Sequence, residues 1–337
     1  MFLIDPHIHM VSRTTSDYEM LALSGVVAVS EPAFWAGFDR SPAGFVDYYE
    51  QLTTFEPKRA AQFGIDHYTW ICLNPKEAED LGKAREVLAE IPRFLTRPSV
   101  LGVGEIGLNK NTPNEARVFK EHVQLAIDTF AQANLQNPPA EGSSQVGSKI
   151  SNLKSQISYL ESEISDFKSQ ISNSPASRAS AIPPPIAPHH LILIHTPHLE
   201  DKLKGTRMIL DMLREFGSKL DPARIIIDHV EEHTIKMVLD AGYWAGLTIY
   251  PISKATPQRA VDMLELYGAE RLMVNAAADW GVSDPLNTHR TMLEARRRGH
   301  SLDTLLRVFY NNPAQFFGQC PNFKPRQIKV GFAESAG

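Results

Sequence analysis

Two histidines two residues apart, His7 and His9, follow a short apolar run, Phe2-Leu3-Ile4, at the N-terminus. On an extended strand such residues face the same way, so both imidazoles can reach one cation. Four more groups of related chemistry close later apolar runs. They are Glu105 in Gly104-Glu105-Ile106-Gly107-Leu108, His195 after Leu191-Ile192-Leu193-Ile194, His229 after Ile225-Ile226-Ile227-Asp228, and Asp279 after Ala276-Ala277-Ala278. A glutamate among glycines and aliphatics is costly to bury alone, and a cation removes that cost. Nitrogen and oxygen donors without thiolate suit one or two divalent ions, with Zn, Mn, Mg, Fe, Co and Ni all admissible. One division gives His7 and His9 with a carboxylate to a first ion, and His195 and His229 to a second, with Glu105 bridging. Two ions about 3.5–4 Å apart can clamp an in-line displacement. Asp279, at the last of these run ends, is suited to bind metal and take a proton from an attacking water. Asp5 shares a face with both histidines and can orient one of them. His198 is a candidate substrate contact. His189 and His190 precede their strand and lie on the wrong rim, and His233 reads as a helix-start residue.

The elements that must position these groups are legible in the alternation of patterns. Eight short apolar runs, Phe2–Ile8, Gly25–Val29, His67–Leu73, Val100–Val103, Leu191–Ile194, Arg224–Ile227, Trp244–Ile249 and Arg271–Val274, predict strands. Helical patterns separate them, among them Asp80–Phe94, Glu115–Ala133, Leu199–Phe216, Thr234–Asp240 and Pro257–Tyr267. Such alternation implies parallel strands with helical crossovers, buried on both faces. Eight units predict an α/β fold of the (β/α)8 TIM-barrel class, with the active site at the C-terminal strand ends, where all six candidate ligands fall. No Gly-x-Gly-x-x-Gly follows the first strand, which counts against a dinucleotide site.

One stretch breaks the pattern. Residues 134–188 turn to Ser, Pro, Gly, Asn and Gln and contain the repeat SNLKSQI, SYLESEI, SDFKSQI. Ile150, Leu153, Ile157, Leu160, Ile164, Phe167 and Ile171 alternate by three and four, which is an a/d seam. Serine is a mediocre helix former and the run is short, so an isolated helix is marginal there. The expected organisation is a first half-barrel over 1–133, this Ser/Pro-rich insertion between the fourth helix and fifth strand over 134–188, a second half-barrel over 189–320, and a tail over 321–337. The insertion reads as tolerated and remote from the site, with self-association through 148–171 the alternative.

The 337 residues, 43% hydrophobic and 22% charged with a net charge of −5, describe an ordinary globular chain. They offer no electrostatic footprint for long nucleic acid, although a local basic groove stays open. Cys72 and Cys320 make no CxxC and no disulfide framework. No basic-then-apolar leader and no membrane-length apolar run is present, so the expected location is the cytoplasm, with no membrane partner.

Taken in order, Asp5-Pro6-His7-Ile8-His9, Gly104-Glu105-Ile106-Gly107-Leu108, Ile194-His195-Thr196-Pro197, Asp228-His229 and Ala278-Asp279 resemble the TatD-like branch of the amidohydrolase-related metal-dependent hydrolases. Asn311-Asn312-Pro313-Ala314-Gln315-Phe316-Phe317 is similar to that family's closing helix segment. The resemblance spans Phe2 to about Gly318 without the insertion. It implies a TIM barrel, a one- or two-metal centre and phosphoester hydrolysis, on nucleic-acid ends in the nuclease members. It implies His7 and His9 on one metal, Glu105 bridging, His195 and His229 on the other, and Asp279 as ligand and base. The chain departs from the nuclease pattern at Cys72-Leu73-Asn74-Pro75, at Asn109 and at Ala277-Ala278, so Asn74 and Asn109 stand where substrate-binding polar groups are expected. The form Asn275-Ala276-Ala277-Ala278-Asp279-Trp280-Gly281 resembles a divergent subgroup of bacterial ebo-type clusters. The expected activity is metal-dependent hydrolysis of a phosphoester or related polar bond, in a small molecule or at a nucleic-acid end. The alternatives are a sugar-type isomerase or lyase on the same barrel, and a non-catalytic metal-binding assembly protein.

Overall fold

A computed structural model of the chain describes residues 1–34, 37–136, 189–197 and 201–325. The chain divides into two units, Met1–Ala133 with Ile186–Gly337, and Asn134–Pro185. The heptad run and His198 lie outside the described residues.

Eight parallel strands follow one another around the sheet in chain order. They are β1 Leu3–Asp5, β2 Val26–Pro32, β3 Asp66–Ile71, β4 Val100–Gly107, β5 Leu191–His195, β6 Ile225–Asp228, β7 Trp244–Thr248 and β8 Leu272–Asn275. The seam between β8 and β1 is bridged just past the strand ends. There Ala277 N donates to His7 O at 2.7 Å and His9 N to Ala278 O at 2.9 Å. The predicted TIM barrel is therefore the fold. Every residue of β5, Leu-Ile-Leu-Ile-His, is buried because the sheet has helices outside and a packed interior inside.

The alternation of side chains sorts the interior into layers. Ile4, Ala28, Trp70, Leu101, Leu193, Ile226, Trp244 and Met273 share one buried cluster with Phe316 and Phe317. Those two phenylalanines come from the helix Asn312–Phe317. Phe316 lies 5.6 Å from the Trp244 ring and 6.3 Å from the Trp70 ring, centroid to centroid. Asn312 Nδ2 ties this helix to the Ala269 and Leu272 carbonyls, each at 2.7 Å. Each such aromatic contributes roughly 1.5–3 kcal/mol by leaving water, so the lower barrel is a plug of rings. Two residues further along the strands, or four on β7, the interior turns polar, with Ser30, His195, Asp228, Thr248 and Asn275 all buried. That polar layer is the floor of the site. Among the described residues no helix is long and apolar enough to cross a membrane.

Candidate metal centre

β1 ends at Asp5, so His7 and His9 stand in the segment beyond the strand rather than on it. They still converge, with their Nε2 atoms 3.2 Å apart. Glu105 leaves β4 where the register with β5 shifts between Val103 and Ile106, an irregularity that re-aims a side chain. Its Oε2 lies 3.5 Å from His7 Nε2 and 3.3 Å from His229 Nε2, and its Oε1 lies 3.4 Å from His195 Nδ1. Glu105 therefore sits among three imidazoles, with His9 beside His7. His7, Glu105 and His229 form a group whose ligand atoms all lie within 4.8 Å of one another. The division expected from sequence gives His7 and His229 to two ions bridged by Glu105, and the closeness of all three is compatible with one ion or two.

Asp228 and His229 are adjacent yet both serve the site. Asp228 shares the inward face of β6 with Ile226 and accepts a hydrogen bond from His7 Nδ1 at 2.6 Å. Asn275 Nδ2 donates to its other oxygen at 2.8 Å. Gly246 makes room for this carboxylate, because a Cβ there would collide with Asp228 Oδ1. By strand alternation His229 should point away from Asp228. Instead its φ of 60° places it in the left-handed region and turns it back. His229 Nδ1 pairs with Thr248 Oγ1 at 2.6 Å, which leaves Nε2 for the site. Asp5 does not orient an imidazole. It accepts from the backbone of His7 at 3.1 Å and of Ala276 at 3.3 Å, and from Thr288 Oγ1 at 2.7 Å, so it anchors the β1–β8 seam. Burial pushes its carboxyl up to about 7 against those hydrogen bonds.

A cavity of about 130 Å³ opens over these groups, lined among others by His7, His9, Glu105, His195, His229 and Asp279. All six predicted ligands thus share one pocket. Asp279 stands apart from the central group. Its Oδ1 accepts from Tyr250 OH at 3.1 Å and Gly281 N at 2.8 Å. Asn74 and Asn109 are not among the residues lining the cavity. Asn74 caps a short turn by accepting from Lys76 N, and the Asn109 backbone binds Glu115. Among the lining residues that the sequence did not single out are two lysines. Lys76 follows that turn after β3, and Lys254, in the loop after β7, brings Nζ to 3.4 Å from His229 Nε2.

The donors fit a divalent cation. A metal needs neutral imidazoles and ionised carboxylates. Burial, with His7 beside it, holds His9 down to about 3, and burial holds His229 well below its ordinary value. Burial would raise Glu105, but the charges of His195 and His7 keep it well below the carboxylate range. His9 Nδ1 is buried without a hydrogen-bond partner among the described residues. His7 is the exception. Burial would lower it, but the charge of Glu105 and the hydrogen bond and charge of Asp228 hold it above its ordinary value. Burial lowers Lys254 to about 8.

No protein-family model matches the chain. It is 23% identical over 318 residues to an uncharacterised metal-dependent hydrolase of Methanocaldococcus jannaschii, covering 94% of this chain and 99% of that one. The crystal structure of a TatD-like protein from Archaeoglobus fulgidus superposes with a TM-score of 0.61 at 21% identity, over 94% of this chain and 99% of the other. A β-aspartyl dipeptidase from Fervidobacterium islandicum AW-1, in complex with a β-Asp-Leu dipeptide, gives 0.57 at 13% identity, over 93% and 74%. The strand order and the likeness of the fold agree: the chain folds as a TIM barrel similar to that of the TatD-like protein.

Proposed function

We propose that the protein is a divalent-metal-dependent hydrolase that cleaves a phosphoester with water, most simply in the cytoplasm. The observation that carries this reading is the convergence of His7, Glu105 and His229, with His9 and His195 beside them, at the C-terminal mouth of the barrel. The similarity to the archaeal metal-dependent hydrolase supports it. His7, Glu105 and His229 would hold the ion, with His9 and His195 completing its surroundings. A bound divalent ion supplies a Lewis acid that polarises the ester and eases ionisation of water. Asp228 fixes the His7 ring and its tautomer through Nδ1, and Thr248 does the same for His229. Asp279 is held at the pocket wall through Oδ1, and its carboxylate can accept the proton of the attacking water. The enclosing side chains exclude bulk water, which strengthens each of these interactions.

A phosphoester panel run in ¹⁸O-labelled water tests the reading. Label in the released phosphate supports hydrolysis at phosphorus. Turnover without label points instead to an isomerase or lyase. End-labelled single-stranded DNA tests the nuclease form separately, and no shortening with Mg²⁺ or Mn²⁺ removes it.

A further inference from the structure

Two cations line the pocket from loops on opposite sides. Lys76 follows β3 and Lys254 follows β7. These strands are four places apart in an eight-strand barrel, so their loops face each other across the mouth. Lys76 Nζ lies 4.9 Å from the centroid of the Phe34 ring, itself a lining residue. Lys254 Nζ contacts His229 Nε2, the one ring nitrogen that Thr248 does not take. A cation bound at His229 Nε2 occupies the lone pair that Lys254 uses. Lys254 would then be available to an anionic group of the substrate, alongside the nearby carboxylates of Glu105, Asp228 and Asp279.

The rim has a different character. Phe34 and Trp280 flank His9, with ring centroids at 4.8 Å and 6.5 Å. Trp280 is 52% exposed, Val282 on the same loop is 80% exposed, and Ile252 on the loop after β7 is 70% exposed. A cavity of about 130 Å³ is well below what a whole drug-sized ligand needs, roughly 300–1,000 Å³. It admits a head group only, and the rest of the substrate lies on the apolar rim.

We infer that the site takes a small amphiphilic monoester, its anionic head held between Lys76 and Lys254 and its apolar, ring-bearing body lying against Trp280 and Phe34. This rests on the metal-dependent reading above and narrows its substrate class. The test is calorimetric binding of phenylphosphonate and methylphosphonate to the full chain loaded with zinc, its metal content first measured by elemental analysis. The expected result is at least tenfold tighter binding of phenylphosphonate. Trp280→Ala should erase most of that preference while leaving methylphosphonate binding intact. Lys254→Gln should weaken both probes about tenfold with zinc content unchanged. Equal affinity for the two probes in the zinc-loaded wild type, or undiminished affinity in Lys254→Gln, overturns the inference. A chain that takes up no zinc overturns both readings. Phenylphosphonate binding as expected, without phosphoester turnover, supports the inference and sinks the hydrolase reading alone.

Discussion

Replacing Asp228 by asparagine separates the carboxylate's charge from its shape. In the wild type Asp228 Oδ2 accepts from His7 Nδ1 at 2.6 Å, and Oδ1 accepts from Asn275 Nδ2 at 2.8 Å. The asparagine oxygen can still face His7, but its amide then meets the Asn275 amide, donor against donor. Asn275 Oδ1 is buried without a partner, so rotating that amide resolves the clash and the variant should fold. What disappears is a charge-assisted hydrogen bond, worth roughly 1.5–3 kcal/mol. If that energy helps His7 act as a ligand, zinc affinity should fall by about 10- to 100-fold, the range for partners of metal-binding histidines. The assay is a competition titration against a chromophoric chelator, with circular dichroism to confirm the fold. Unchanged zinc affinity in a folded Asp228→Asn chain would refute the role given to Asp228, and with it the placement of His7 in the metal shell.

Other consequences follow from the same geometry. Gly246→Ala should displace the Asp228 carboxylate and cut zinc affinity at least as much as Asp228→Asn, because the new Cβ would collide with Oδ1; the same chelator competition reads it. Asp279→Ala should lower kcat by about 10²–10⁴, as expected for removal of a general base, while leaving the thermal midpoint near wild type; a near-wild-type rate would exclude the proton-accepting role. Phe316→Ala should cost about 3–5 kcal/mol by urea unfolding, because it opens a cavity in the ring plug. The metal-free chain should lose stability on acidification. His9 has a folded value of about 3 against 6.5 when unfolded, so the unfolded chain binds its proton first. That contribution is complete above pH 6.5 and is lost as pH falls toward 3, by up to about 5 kcal/mol for this group. A His9→Gln variant with an equally steep acid limb in urea titrations would contradict this.

Much of the architecture was legible because a parallel barrel is written in period and order. The eight runs predicted from sequence each contain an observed strand or at least half of it, the run Val100–Val103 stopping short of β4's end, and the helix Pro257–Tyr267 matches its predicted bounds. The site was legible for a related reason: a polar residue at the end of an apolar run has to be explained, and His195, His229 and Glu105 each announce themselves in that way. The chain gave weaker signals where backbone geometry overrides alternation. His229 points inward only because of its left-handed φ, and that turn concealed the importance of Asp228 beside it. Asp5 shares a sequence face with His7, but β1 ends there and its carboxylate serves the backbone instead. Asn74 and Asn109 were singled out by likeness to nucleases, yet Asn74 turns out to be a cap. Lys76 and Lys254 lie in loops with no periodicity. The rule that loops after strand ends build a barrel's site could have flagged them.

A cation held among His7, Glu105 and His229 is the heart of the proposed site. Elemental analysis of the purified chain after zinc loading and desalting, beside Glu105→Gln and His229→Ala, addresses that directly. At least one zinc per wild-type chain, lost from both folded variants, is the predicted result. A folded wild-type chain that retains no divalent ion, or variants that retain as much as it does, would contradict it.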